Sequence, residues 1–219
     1  RVLAEWAARV QAEYTSAAVT ARLVHLSIAT GLPRPVVDTA LRIVADELDH
    51  AELSHVCLCD LGGAEHAVSV DLDQLLPTGP RQPLAEAVTL VLRSFCFGET
   101  LAVPLFRALR QCARHPTAVA ALDRIVRDEV VHRAFGWTVL DALLERDPEG
   151  VRALCRQLVP ALTTEFRETY GELPPGPALT PGERAMGLMD RDRWRTTVEA
   201  ALVADVGPRL ARRGLHLID

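Results

Sequence analysis

The 219 residues are 49% hydrophobic and 24% charged, enough apolar material for one sizeable core. A formal net charge of -5 and a pI near 5.8 exclude the clustered basic face that nucleic acid or an anionic membrane surface would demand. Aromatics make up only 5%, while Ala, Leu, Val and Arg abound with little alternation, so an all-α fold is expected. The first helix is predicted over residues 1–30, ended by "GLPRP", whose Gly and two Pro force a turn. A second covers 35–61 and stops at Gly62 and Gly63. Residues 64–82, with "PTGPRQP" near the end, form a crossover long enough to span a bundle. Further helices are predicted over about 83–113, 117–146 and 149–170. A Pro/Gly-rich loop at 171–183 precedes a last helix over 190–213. The whole chain reads as a single domain, with a four-helix core in 1–146 and extra helices in 147–219. No uninterrupted apolar run of membrane-spanning length is present, and Cys57, Cys59, Cys96, Cys112 and Cys155 have no zinc-like spacing. Reduced thiols and a cytoplasmic location are expected.

The chemistry lies in a repeat. "ADELDHA" at 45–51 returns as "RDEVVHRA" at 127–134, and both contain Asp-Glu-x-x-His: Asp46-Glu47-x-x-His50 and Asp128-Glu129-x-x-His132. Residues three apart share a helix face, so each motif can aim one carboxylate and one imidazole at a common metal. Each motif has a Glu on the preceding helix: Glu13 lies 34 residues before Glu47, and Glu99 lies 30 before Glu129. These residues sit at similar distances from their hairpin turns, so each hairpin delivers two Glu and one His at one level. Two hairpins joined by a crossover then supply four Glu and two His, the donor set of a dinuclear carboxylate site in a bundle core. Glu99 lies within the apolar "RSFCFGETLAVPLF", where an unpaired carboxylate would be costly. Asp46 and Asp128 point away from their own His toward the neighbouring helix, as orienters of metal-bound imidazoles would. Glu52 and His55 form a third Glu-x-x-His. Glu52 is about 140° round the helix from Glu47, so it, His55 and Asp49 are expected to face outward.

At Glu13, Glu47-x-x-His50, Glu99 and Glu129-x-x-His132 the chain resembles the ferritin-like di-iron carboxylate superfamily, over roughly residues 5–140. The resemblance implies an antiparallel ferritin-like four-helix bundle holding two iron ions, with manganese or a mixed pair as alternatives. It also implies crossed pairing, Asp46 holding His132 and Asp128 holding His50. Several subfamilies are disfavoured. Rubrerythrins carry a further Glu where Ala102 stands, radical-bearing small subunits a Tyr where Ser54 stands, multicomponent monooxygenases a Thr at Val103, and arylamine N-oxygenases a His at Ile125. The expected activity is oxidation of a small apolar substrate by O2 or peroxide, with ferroxidase or iron handling as the alternative. Expected partners are the substrate, O2 and an external electron donor, with homodimerisation compatible. Tyr14, Cys96 and Phe135 are candidates for lining a pocket, with packing or surface as the rival account of Tyr14 and core packing as that of the other two. Gly98 and Pro104 predict a kink or bulge beside Glu99.

Overall fold

A computed structural model describes residues 1–64, 68, 70, 82–171 and 177–217. The expected crossover lies almost wholly outside these residues, as do His66 and part of the 171–183 loop. Every element among the described residues is helical. Helix α1 spans Val2–Ala29 and α2 spans Arg34–Asp60. Between them Gly31 takes a left-handed φ of +67°, a conformation an L side chain disfavours. Pro33 then opens α2, because its missing N–H costs nothing before the first turn.

Helix α3 runs Pro83–Cys112. It is regular over Pro83–Leu90, a wide π-helix over Val91–Glu99, and regular again over Thr100–Cys112. The predicted irregularity therefore ends at Glu99 and lies before Pro104, which sits within regular helix. By length and composition alone α3 could cross a bilayer, though it holds no unbroken apolar run of that length, and 67% of its most apolar window is buried inside the protein. Helix α4, Pro116–Arg146, follows. α1 packs along α2, α2 on α4, α4 on α3, and the start of α3 returns to α1. Four long helices thus enclose one core that includes Leu23, Ile43, Phe95, Leu101 and Ile125.

The C-terminal region wraps this core. Helix α5, Pro148–Gly171, packs on α3 and α4, and α7, Arg191–Ala201, packs on α3 and α5. After α7 comes a short π-helix, Leu202–Val206, then α8, Gly207–Ala211, where the sequence predicts one unbroken helix. Within the expected 171–183 loop lies a further short helix, α6, Pro181–Ala185. Its signal was legible: Thr180 and Glu183 form a reciprocal capping box around Pro181. The backbone N–H groups of Arg114 and His115 donate to Ala185 at 2.7 and 3.0 Å, and Trp6 Nε1 donates to Met186. The α6 region thereby fastens the α3–α4 turn and the start of α1 to one point. All five cysteines are free.

Candidate metal centre

Each long helix carries polar side chains into the apolar core: Glu13 from α1, Glu47 and His50 from α2, Glu99 from α3, Glu129 and His132 from α4. All six are 7% exposed or less. His50 Nδ1 stands 3.4 Å from Glu47 Oε2, 3.7 Å from Glu129 Oε1 and 3.8 Å from Glu13 Oε2. His132 Nδ1 stands 3.4 Å from Glu47 Oε1 and 3.6 Å from Glu129 Oε2. Glu47 and Glu129 therefore each offer one oxygen to each imidazole. Two groupings could hold a metal ion, Glu13 with Glu47, His50 and Glu129, and Glu47 with Glu99 and His132. Within each, the candidate donor atoms lie within 4.8 Å of one another.

The outer ring nitrogens are held crosswise. His50 Nε2 meets Asp128 Oδ2 at 3.2 Å, and His132 Nε2 meets Asp46 Oδ2 at 3.5 Å. A carboxylate only accepts, so these contacts place a proton on Nε2 of each imidazole and turn Nδ1 inward, where its lone pair could serve a cation once any second proton is lost. Both inward nitrogens, together with Glu47 Oε2 and Glu129 Oε2, are buried without a hydrogen-bond partner among the described residues. Buried polar atoms in native cores are nearly always paired. Four inward-facing donor atoms left unpaired at one point fit a cation in their midst.

Electrostatics agree. Burial and then the neighbouring Glu47 carboxylate hold Glu13 well above the usual carboxylate range, and burial and then Glu129 do the same to Glu99. Burial also raises Glu129 strongly. For Glu47, burial is outweighed by the adjacent imidazoles of His132 and His50, which hold it low. His132, despite burial, is pushed up to about 9 by Glu47 and Glu99. Three of the four carboxyl groups crowded out of water, Glu13, Glu99 and Glu129, keep protons to limit mutual repulsion, and divalent cations could take the place of those protons.

Sequence reasoning missed Arg124. Its guanidinium donates Nε to Asp128 and Nη2 to Asp46, at 3.0 Å, and to Asp49, at 3.4 Å. One cation thus binds the orienting carboxylates of both imidazoles. The available signal was its place one turn before Asp128 on α4. Arg124 and Arg127, with His50, overcome burial and hold Asp128 below its usual value, ready to accept from His50. Ser16, also overlooked, donates to Glu47 Oε1 at 2.8 Å. Asp49 and Glu52 are exposed and His55 is half-buried beside Cys59, away from the cluster.

The three candidate pocket residues require correction. Tyr14 is 39% exposed, because the residue next to Glu13 points about 100° away round a regular helix. Cys96 is fully buried in the core and is not among the residues lining the cavity that reaches the cluster. The expectation assumed α-helical spacing to Glu99, whereas in the π segment bonds reach five residues back and a turn takes more than four. Phe135 packs edge-on against Phe95, with ring centroids 5.4 Å apart, and is likewise a core residue.

A cavity of about 630 Å³ does reach the cluster, touching Glu13, Glu47, Glu99 and Glu129. One wall comes from the C-terminal helices: Glu165, Phe166, Thr169 and Tyr170 on α5, Trp194 on α7. Phe97, Phe166, Tyr170 and Trp194 stack in sequence at 5.5, 6.1 and 6.0 Å. Burial and then the Glu99 charge raise the Tyr170 hydroxyl above its usual value. Neither the protein-family models nor the curated proteins compared with this chain give a match, and the chemistry of the cluster rests on its own atoms.

Proposed function

We propose that the protein is a dinuclear-metal oxidoreductase built on a ferritin-like four-helix bundle, with iron as the metal and a small, largely apolar organic substrate. The observation that carries this reading is the set of four buried, unpartnered donor atoms, Nδ1 of His50 and His132 and Oε2 of Glu47 and Glu129, facing one another. Carboxylate and imidazole donors with no thiolate suit Fe(II) or Mn(II). In this reading Glu47, Glu129, His50 and His132 would hold the metal pair, with Glu13 and Glu99 each adding a carboxylate on one side. When bound, the metal pair supplies the redox chemistry by which O2 or peroxide is activated. Asp46 and Asp128 orient the imidazoles, and Arg124 holds both aspartates in place. The aromatic stack from α5 and α7 excludes water from the Glu99 side and shapes the space for substrate. An external electron donor is part of the proposal.

A second reading, ferroxidase or iron handling without an organic substrate, uses the same ligands. The cavity favours the enzyme, because iron transit calls for a polar path rather than a wall of Phe and Trp. Metal analysis of protein produced with iron tests the common core: about two metals per chain are expected, with a near-UV chromophore after anaerobic reduction and exposure to O2. A ratio well below two, or no chromophore, overturns the di-iron assignment. Assembly into a closed cage that accumulates iron mineral would instead establish the second reading.

A further inference from the structure

The cavity wall contains a second polar feature that the metal cluster does not use. Arg9, on α1 one turn before Glu13, is 7% exposed, and neither its Nη1 nor its Nη2 has a hydrogen-bond partner among the described residues. Its guanidinium lies 4.4 Å over the Trp6 ring and 5.8 Å from the Phe106 ring. Such aromatic packing orients the plane of an arginine while leaving its N–H edge free. Glu5 Oε1 stands 3.6 Å from Nη2, beyond hydrogen-bond distance, on a side chain 43% exposed to solvent. Burial lowers the basicity of Arg9, with Glu5 and Glu13 acting against it. The other arginine on this wall, Arg93, is already joined to Glu165 at 2.6 Å.

A buried guanidinium with an unused donor edge is costly unless an acceptor meets it, and its fork matches a carboxylate in two parallel hydrogen bonds. Between Arg9 and the Glu cluster the wall also carries apolar side chains, with Val19, Leu105, Phe106, Leu109 and Phe166 facing the same space. Glu5 and Glu165 also border it, so a second negative charge on the ligand would meet repulsion and no second unpaired cation. We propose that the cavity binds an amphiphilic monocarboxylic acid, its carboxylate on Arg9 and its apolar body laid along these side chains toward the Glu cluster. This deepens the functional reading above, naming the substrate class of that site, and rests on it only for the claim that the bound acid is the substrate.

Titration calorimetry with octanoate and octan-1-ol, on metal-loaded protein, tests the assignment. Octanoate is expected to bind at least about ten-fold more tightly than the alcohol, as hydrogen bonds to a charged group imply. R9Q and R9M should remove that preference while octan-1-ol affinity is unchanged, and R9K should retain part of it. R9M keeps apolar packing against Trp6, and the wild-type comparison of acid with alcohol needs no variant at all. Equal affinities for the two probes in the wild type, or an undiminished preference in R9Q, overturn the inference. Metal content measured on the same samples separates the two claims. A preference for octanoate in protein that holds no metal supports the Arg9 site and overturns the dinuclear reading. Two metals per chain with no preference does the reverse.

Discussion

The half of the centre built on α1 and α2 and the half built on α3 and α4 carry the same ligand types, yet their surroundings differ. On the first half α1 is regular, Ser16 steadies Glu47, and Arg9 brings a cation one turn from Glu13. On the second, Glu99 ends a π-helix and its neighbours Phe95 and Phe97 are fully buried aromatics. A repeated motif supplies a near-symmetric ligand set, and the flanking helices then make one side polar and rigidly placed, the other apolar and held by wide-turn backbone. Wide turns of this kind recur at functional sites, where they redirect side chains.

Substitutions can break this comparison. The largest effect is expected at the shared carboxylates: Glu47→Ala should empty both positions, whereas Glu13→Ala and Glu99→Ala should each empty one, read as metal per chain falling from about two to none or to about one. Next comes the crossed anchoring. Asp128→Asn should weaken metal on the His50 side about 10- to 100-fold, and Asp46→Asn should do the same on the His132 side, measured by chelator competition. Gly136 faces the π segment so closely that an added Cβ would lie 2.4 Å from Phe95 Cβ. Gly136→Ala should therefore cost about 1–3 kcal/mol in denaturant unfolding and loosen the Glu99 side in preference to the Glu13 side.

A pH series sharpens the comparison further. Glu13, Glu99 and Glu129 are held above their ordinary value of 4.5, so the folded metal-free protein keeps protons that the unfolded chain has lost. His132, raised to about 9, acts in the same sense. Groups raised on folding contribute stability at low pH that is lost as pH rises. The melting temperature of metal-free protein should thus fall from about pH 5 to about pH 9. Added metal at about 100 times its Kd should restore roughly 2.7 kcal/mol. Glu47 and Asp128, held low, act only below that window. The smallest effect is expected at Ser16→Ala, about 1 kcal/mol from one lost hydrogen bond.

What could be read in the sequence was set by helical periodicity. Glu-x-x-His places both side chains on one face wherever the helix is regular, and the Gly and Pro signals at 31–35 and the helix break around 113–116 set the heights at which the hairpins meet. The same arithmetic misplaced Cys96, because three residues do not make a turn in the π segment. Arg9 and Arg124 escaped notice for another reason. Isolated arginines carry no periodic signal, and only the packing of α1 over Trp6, or of α4 beside α2, reveals what each guanidinium faces. The aromatic wall was likewise hidden, since Phe166, Tyr170 and Trp194 lie far from the motifs and join them only through the packing of α5 and α7.

Arg124 has a consequence for how the centre assembles. Because one guanidinium grips Asp46 and Asp128 together, the anchor of each imidazole is mechanically tied to the other. Ordering one histidine stiffens its opposite number, so the second cation meets a site already arranged by the first. If the centre takes two ions as proposed, their loading is expected to be cooperative. Arg124→Met should turn a single steep titration into two separate steps, with each ligand set still in place.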